Sequence, residues 1–297
     1  MISHLSLQKK NTLSNSVSLQ TDENDFDFLV IEHDNFDAAF SLHGAHLLHF
    51  QLKKQAPIIW LSKTAIFNDK KAIRGGVPVC WPWFGPAGKS LGDNLPGHGF
   101  ARTSKWSVKN INELSNGVEI EFLLTDSEET RKLWPHQFEL VLKATLTDTV
   151  TLALTSTNTG SEPFFYRSAL HSYLAISSPE ACKITGLNTH YADMLNAGKA
   201  ELGDGSLTIT KPIDAIYQKA PSAITIADST YKRNLTVTNT GNDSEVVWNP
   251  WVSGAKGFAD MPDDGYQTMV CVESAITDPA GETVAAGQSH TLTTTIG

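Results

Sequence analysis

An otherwise apolar run, Met269-Val-Cys-Val-Glu-Ser-Ala, puts the carboxyl of Glu273 on the same side of a strand as Met269 and Cys271. A carboxylate so placed loses hydration unless it is paired or functional. Burial would raise it from about 4.3 and make it a stronger base near neutrality. His171, in Ser168-Ala-Leu-His-Ser-Tyr173, is a second candidate for proton chemistry, flanked by small and apolar residues. On residue types alone His171 also reads as a hydrogen-bonded core histidine, and Glu273 as a buried carboxylate paired with an arginine. Two such arginines bracket the chain's stiffest stretch. Arg74 opens Arg-Gly-Gly-Val-Pro-Val-Cys-Trp-Pro-Trp-Phe-Gly-Pro, and Arg102 closes Gly97-His-Gly-Phe-Ala-Arg. Proline fixes φ and lacks an N–H, and glycine allows close approaches, so this segment reads as an aromatic-walled loop rather than a helix. A guanidinium fork matches phosphate oxygens bidentately, which makes Arg74 and Arg102 candidates for an anionic ligand.

Strands must carry these groups. Phe138, Leu140, Leu142, Ala144 and Leu146 share one parity, and Val150, Leu152 and Leu154 continue it after Asp148, as a hairpin with one buried face does. Val118, Ile120, Phe122 and Leu124 repeat the pattern after an Asn116-Gly117 turn signal. Further strands are expected at 28–33, 37–42, 46–52, 233–239, 267–274 and 289–296. One short helix is expected at 126–134, ended by Pro135. Residues 1–25 read as a polar lead-in and 26–297 as one domain. Many short strands without crossover helices point to an all-β fold, an antiparallel sandwich or barrel.

Composition narrows the partners. The chain has 297 residues, 19% of them charged, and a formal net charge of −9 without a basic run, which argues against nucleic acid. That charge would repel a phosphorylated substrate unless cations gather at one mouth. Screening over about 8 Å at physiological salt makes such a local arrangement effective. Cys80, Cys182 and Cys271 are odd in number and widely spaced, which suggests neither a disulfide framework nor a cysteine metal site. The first residues lack the apolar core of a signal peptide and no 18-residue apolar run exists, so the expected location is cytoplasmic, away from membranes. His43, His46 and His49 imitate a metal site, but strand parity turns His46 away from the other two. Glu128–Glu129 reads as helix-start charge and Asp263–Asp264 as turn chemistry. The Gly75–Gly76 pair lacks the spacing of a nucleotide-binding loop.

Five motifs, in order, resemble the glucose-6-phosphate 1-epimerase (hexose-6-phosphate mutarotase) branch of the aldose 1-epimerase superfamily. They are the Arg74–Arg102 block, Ser127-Glu-Glu-Thr with Trp134-Pro135, Ala169-Leu-His-Ser-Tyr173, Asp260-Met-Pro-Asp-Asp-Gly-Tyr266 and Val270-Cys-Val-Glu273. The resemblance runs from about residue 28 to the end. It implies a large two-sheet supersandwich of the galactose mutarotase type, and interconversion of the anomers of glucose 6-phosphate without metal or other cofactor. It further implies His171 as general acid, Glu273 as general base, and Arg74 and Arg102 as substrate-binding arginines. His98 would lie beside the sugar ring and Asp214 would grip its hydroxyls. Where many relatives read Asp-Arg-Val-Tyr, this chain has Asp214-Ala-Ile-Tyr217, and the arginine that could support Asp214 is missing. Trp81, Trp83, Phe84 and Phe100 are candidates for an apolar platform under the sugar. The expected protein is a monomer acting on a hexose 6-phosphate. An epimerase of unphosphorylated hexoses and a non-catalytic sugar-phosphate-binding protein are the alternatives.

Overall fold

A computed structural model describes residues 5–88, 95–277 and 281–297. Three antiparallel sheets dominate it: a five-stranded meander over Gln8–Leu52, a nine-stranded sheet and an eight-stranded sheet. The nine-stranded sheet shows the alternation most plainly. Strand Phe138–Leu146 buries every second residue and pairs with Val150–Asn158 in the register Leu146↔Val150. Gly117–Thr125 follows a two-residue turn at 115–116 and buries Val118, Ile120, Phe122 and Leu124. These side chains join one apolar core with Val270, Val272 and Ile276 of the eight-stranded sheet and with Leu29, Ile31 and Phe40 of the meander.

Strand Met269–Ile276 is buried along its whole length because both its faces are covered. Val270, Val272 and Ile276 point into the shared core. Ser274, on the same side, donates to the Thr293 carbonyl at 3.1 Å. Met269, Cys271, Glu273 and Ala275 occupy the other face. A strand buried on two sides has no polar face, which is why its sequence reads as nearly continuous apolar residues. Its single carboxyl therefore stands out.

Three sequence expectations shift. Residues 8–12 and 17–21, read as lead-in, form two strands, the first paired with the second and the second with Asp27–Glu32, and Val17 enters the core. Polar residues on an exposed edge conceal a strand from hydropathy patterns. The strand expected from 267 begins at Met269, because Gly265–Thr268 is a 3-10 turn. The helix is confined to Glu128–Leu133, where Ser127 and Thr130 form a reciprocal capping box. Among the described residues no helix is long and apolar enough to cross a membrane.

Candidate active site

The register of the eight-stranded sheet brings the proton-chemistry residues together. Leu170 pairs with Ser274 and Tyr173 with Cys271, so His171 sits directly opposite Glu273. The strand is interrupted there. The His171 N–H turns to the Pro78 carbonyl at 3.1 Å, and the Val272 N–H takes the Ser172 carbonyl at 3.2 Å. Opposed residues on antiparallel strands project to one face. The same logic extends across the sheet. One row runs His171, Glu273, Val246, Ile216, and the next runs Tyr173, Cys271, Trp248, Asp214. Apart from Cys271, all of these side chains line a cavity of about 450 Å³.

Loops form the cavity's rim, with Arg74, Phe84, His98, Arg102 and Phe258 in its wall. All six residues singled out from the sequence therefore share one cleft: Arg74, His98, Arg102, His171, Asp214 and Glu273. Two glycines make the rim loops possible. Gly76 has φ +69, and a Cβ there would lie 2.3 Å from the Leu47 carbonyl oxygen. Gly99 has φ +71, and its Cβ would lie 1.9 Å from the Trp81 carbonyl oxygen. A left-handed residue with a side chain costs about 1–2 kcal/mol, and a backbone clash adds to it. Gly99→Ala is accordingly expected to lose about 3 kcal/mol or more of unfolding free energy. Urea denaturation measures that loss, and a loss below about 1 kcal/mol would show that the loop gives way freely.

Arg74 is already engaged. Its Nε donates to Asp260 Oδ1 at 3.0 Å, Nη1 donates to the Tyr173 hydroxyl at 3.3 Å, and its Cζ sits 4.1 Å over the Phe258 ring. Arg102 differs. Its Nη2 donates to the Gly97 carbonyl at 2.7 Å, its Nε is buried with no hydrogen-bond partner, and no carboxylate among the described residues pairs with it. A buried donor left open is costly unless a ligand completes it.

His98 accepts the Gly85 N–H at Nδ1, 3.2 Å away, which leaves Nε2 as the ring's donor. Burial, helped by Arg102 and Arg74, pushes it down to about 4, so the ring is neutral at pH 7. A neutral donor next to two arginines suits a hydroxyl.

His171 Nδ1 lies 3.2 Å from Glu273 Oε1, off the line of a hydrogen bond, and both Nδ1 and Glu273 Oε2 are buried without a hydrogen-bond partner. Burial pushes His171 well down, and the neighbouring His98, Arg102 and Arg74 lower it further. Burial pushes Glu273 well up, and Asp214 adds to that. Both directions favour the uncharged pair over a close ion pair, because neither charge is adequately solvated. Tyr173 stacks on the His171 ring at 4.8 Å and 6°, and Trp248 meets it edge-on at 6.2 Å, which fixes the ring's plane.

Asp214 faces the cavity, raised by its own burial and then by Asp193. Ala215 points the other way into the core, so a longer side chain there would leave the cavity face untouched. The aromatic platform is corrected. Trp81, Trp83 and Phe100 are core residues packed edge-on or tilted against one another and against Trp134 and Phe138. Phe84 alone of the four lines the cavity, whose other rings are Tyr173, Trp248 and Phe258. Tyr173 and Asp260 lay within the recognised motifs without a role. The parity of Tyr173 with His171 is the signal that could have placed it. Asp260 carried no comparable signal, because its partner arginine is distant in sequence.

His43 and His46 bind the Lys71 and Gly75 carbonyls at 3.0 and 2.7 Å and are core residues. Among the described residues, the one histidine, cysteine and acidic group with donor atoms within 4.8 Å of one another is His171, Cys271 and Glu273. A cation there would have to strip a thiol whose burial pushes it well up. All three cysteines are buried and unpaired.

A family model described as aldose 1-epimerase matches residues 27–297. A Salmonella typhimurium protein named "putative glucose-6-phosphate 1-epimerase" is 39% identical over 251 residues, spanning 84% of this chain and 83% of that protein. A Cenchrus ciliaris protein of the same name is 37% identical over 254 residues, spanning 81% and 75%. The crystal structure of a mutarotase-named protein from Salmonella typhimurium superposes with a TM-score of 0.92 at 35% identity, covering 98% of this chain and 96% of that one.

Proposed function

The chain belongs to the aldose 1-epimerase family, and from that premise we propose that it interconverts the α and β anomers of glucose 6-phosphate. One observation carries the reading. An imidazole and a carboxyl 3.2 Å apart face each other in a cavity whose rim holds two arginines.

Opening a hexose ring requires loss of the C1 hydroxyl proton and gain of a proton by the ring oxygen. Glu273 takes the first and His171 gives the second. The C1–O5 bond breaks and the C1 carbonyl forms. The carboxyl is then protonated and the imidazole neutral, so the pair again holds one proton. Rotation about C1–C2 presents the other carbonyl face, and closure returns both protons. Because the two steps mirror each other, neither group needs to exchange with water. Each positioned transfer typically contributes about 10²–10⁴-fold. The 6-phosphate sits against Arg74 and Arg102, and His98 Nε2 and Asp214 bind ring hydroxyls. Phe84, Trp248 and Phe258 cover the sugar's apolar faces, as aromatic rings in sugar sites do.

Anomer exchange measured by NMR on glucose 6-phosphate and on glucose tests the reading. The expected kcat/KM for the phosphorylated sugar is at least about 10²-fold higher, the effect of two charge-assisted contacts at roughly 1.5–3 kcal/mol each. Equal rates would favour an epimerase of free hexoses. Saturable binding without exchange would make the protein a sugar-phosphate carrier.

A further inference from the structure

The charges around the two proton-handling groups are unequal. His171 is faced by Arg74, Arg102 and His98 from the rim loops, by Tyr173 two residues along its own chain, and by Glu273 and Cys271 from the neighbouring strand. Glu273 feels instead the carboxyl of Asp214. Arg74 reaches the imidazole through one ring: its guanidinium donates to the Tyr173 hydroxyl at 3.3 Å, and Tyr173 stacks on His171. Asp260 matches the charge of Arg74, whereas Arg102 has an open, buried Nε. Burial is the larger influence on both groups, and this unequal field adds to it: the cations oppose protonation of His171 and Asp214 opposes ionisation of Glu273, the two states that ring opening needs.

We propose that a dianion seated between Arg74 and Arg102 is itself an activator: by offsetting the positive charge packed around His171 it favours the protonated imidazole and bare carboxylate that ring opening requires, so that free phosphite accelerates ring opening of a hexose carrying no phosphate. The inference rests on the proposed function and deepens it. The phosphate of the substrate then does more than anchor. It arms the acid, and a sugar without it meets a site whose arginines oppose protonation of His171. The net balance is unchanged, because the pair holds one proton before and after ring opening and none enters or leaves. Selection for the phosphorylated sugar therefore acts on kcat as well as on KM, since the charge field differs when the dianion is absent.

Glucose anomer exchange is measured by NMR in rising phosphite at constant ionic strength, with phosphite binding followed by its ³¹P line. The expected result is a saturable rise in kcat/KM for glucose of about tenfold or more, absent in Arg102→Ala. In parallel, ¹⁵N signals of His171 in the full-length protein are titrated. Saturating phosphite is expected to move the imidazole midpoint up by about one pH unit. Phosphite that binds without changing either quantity overturns the proposal, as does inhibition of glucose exchange or failure of phosphite to bind. Any of these together with strong preference for glucose 6-phosphate leaves the proposed function standing. Absence of that preference would instead remove the proposed function itself.

Discussion

Glu273→Gln is expected to lower kcat for anomer exchange about 10²–10⁴-fold and kcat/KM by a similar factor, with KM for glucose 6-phosphate little changed. The amide keeps the shape of the side chain and its place in the strand but cannot accept the C1 hydroxyl proton. Anomer exchange by NMR on the purified variant checks this. A rate within threefold of wild type would remove Glu273 from the reaction. Stability is expected to move the other way. Glu273 is a carboxyl with 1% of its side chain exposed and one oxygen without a partner, so ionising it in place is unfavourable. Burial raises it above 4.5, so the folded state keeps a proton that the unfolded chain has lost. Its contribution to stability is full below pH 4.5 and drains as pH climbs toward the folded value. His171 is lowered and contributes in the opposite window, losing stability as pH falls below 6.5. Between pH 6.5 and about 9, below the Cys271 thiol, the carboxyl is therefore the member of this cluster whose titration shows. There the melting temperature of Glu273→Gln is expected to equal or exceed wild type, with the gap widening as pH rises.

The same carboxyl explains why much of this site could be read from the sequence. A charged residue within a two-sided buried strand breaks a compositional rule that packing otherwise enforces, and such breaks gather at functional sites. The arginines were legible for a related reason, because glycine and proline around them left few backbone options. Strand alternation exposed the sandwich, since Phe138–Leu146 and its neighbours bury every second residue. The resemblance of five ordered motifs supplied the pairing of His171 with Glu273. Periodicity alone could not have done so, because register between distant strands leaves no local trace. The first strand escaped notice because Gln8–Thr12 is exposed along its length and has no apolar face to betray it, and the second because Val17–Thr21 buries polar Ser18 and Thr21 beside Val17. The aromatic platform was misplaced because tryptophan type says nothing about which side of a loop it packs on. Trp81 and Trp83 turn inward, whereas Trp248 and Phe258 come from segments that local patterns did not mark.

Arg102 carries the other large expected effect. Its charge has no carboxylate partner among the described residues, and its Nε is open, whereas Asp260 and Tyr173 already hold Arg74. A dianion entering the cleft therefore gains most from Arg102, whose fork can meet two phosphate oxygens. Arg102→Ala is expected to lower kcat/KM for glucose 6-phosphate about 10²-fold while changing the rate on glucose less than about threefold. Arg102→Lys restores charge but not the fork, so it should recover only part of the loss. Anomer exchange on both sugars, with a thermal melt to confirm folding, separates the outcomes. The melt matters because Arg102 also holds the Gly97 carbonyl, and losing that contact could disturb His98 in the same loop. Equal losses on glucose and glucose 6-phosphate would mean that the loop has moved and that Arg102 does not recognise phosphate. A loss confined to the phosphorylated sugar would mean that one cation, uncompensated in a chain of net charge −9, sets the substrate. Long-range repulsion from that net charge is screened within about 8 Å, whereas a contact at hydrogen-bond distance is not. Local geometry thus outweighs the global sign, and the preference for a phosphorylated sugar should survive physiological salt.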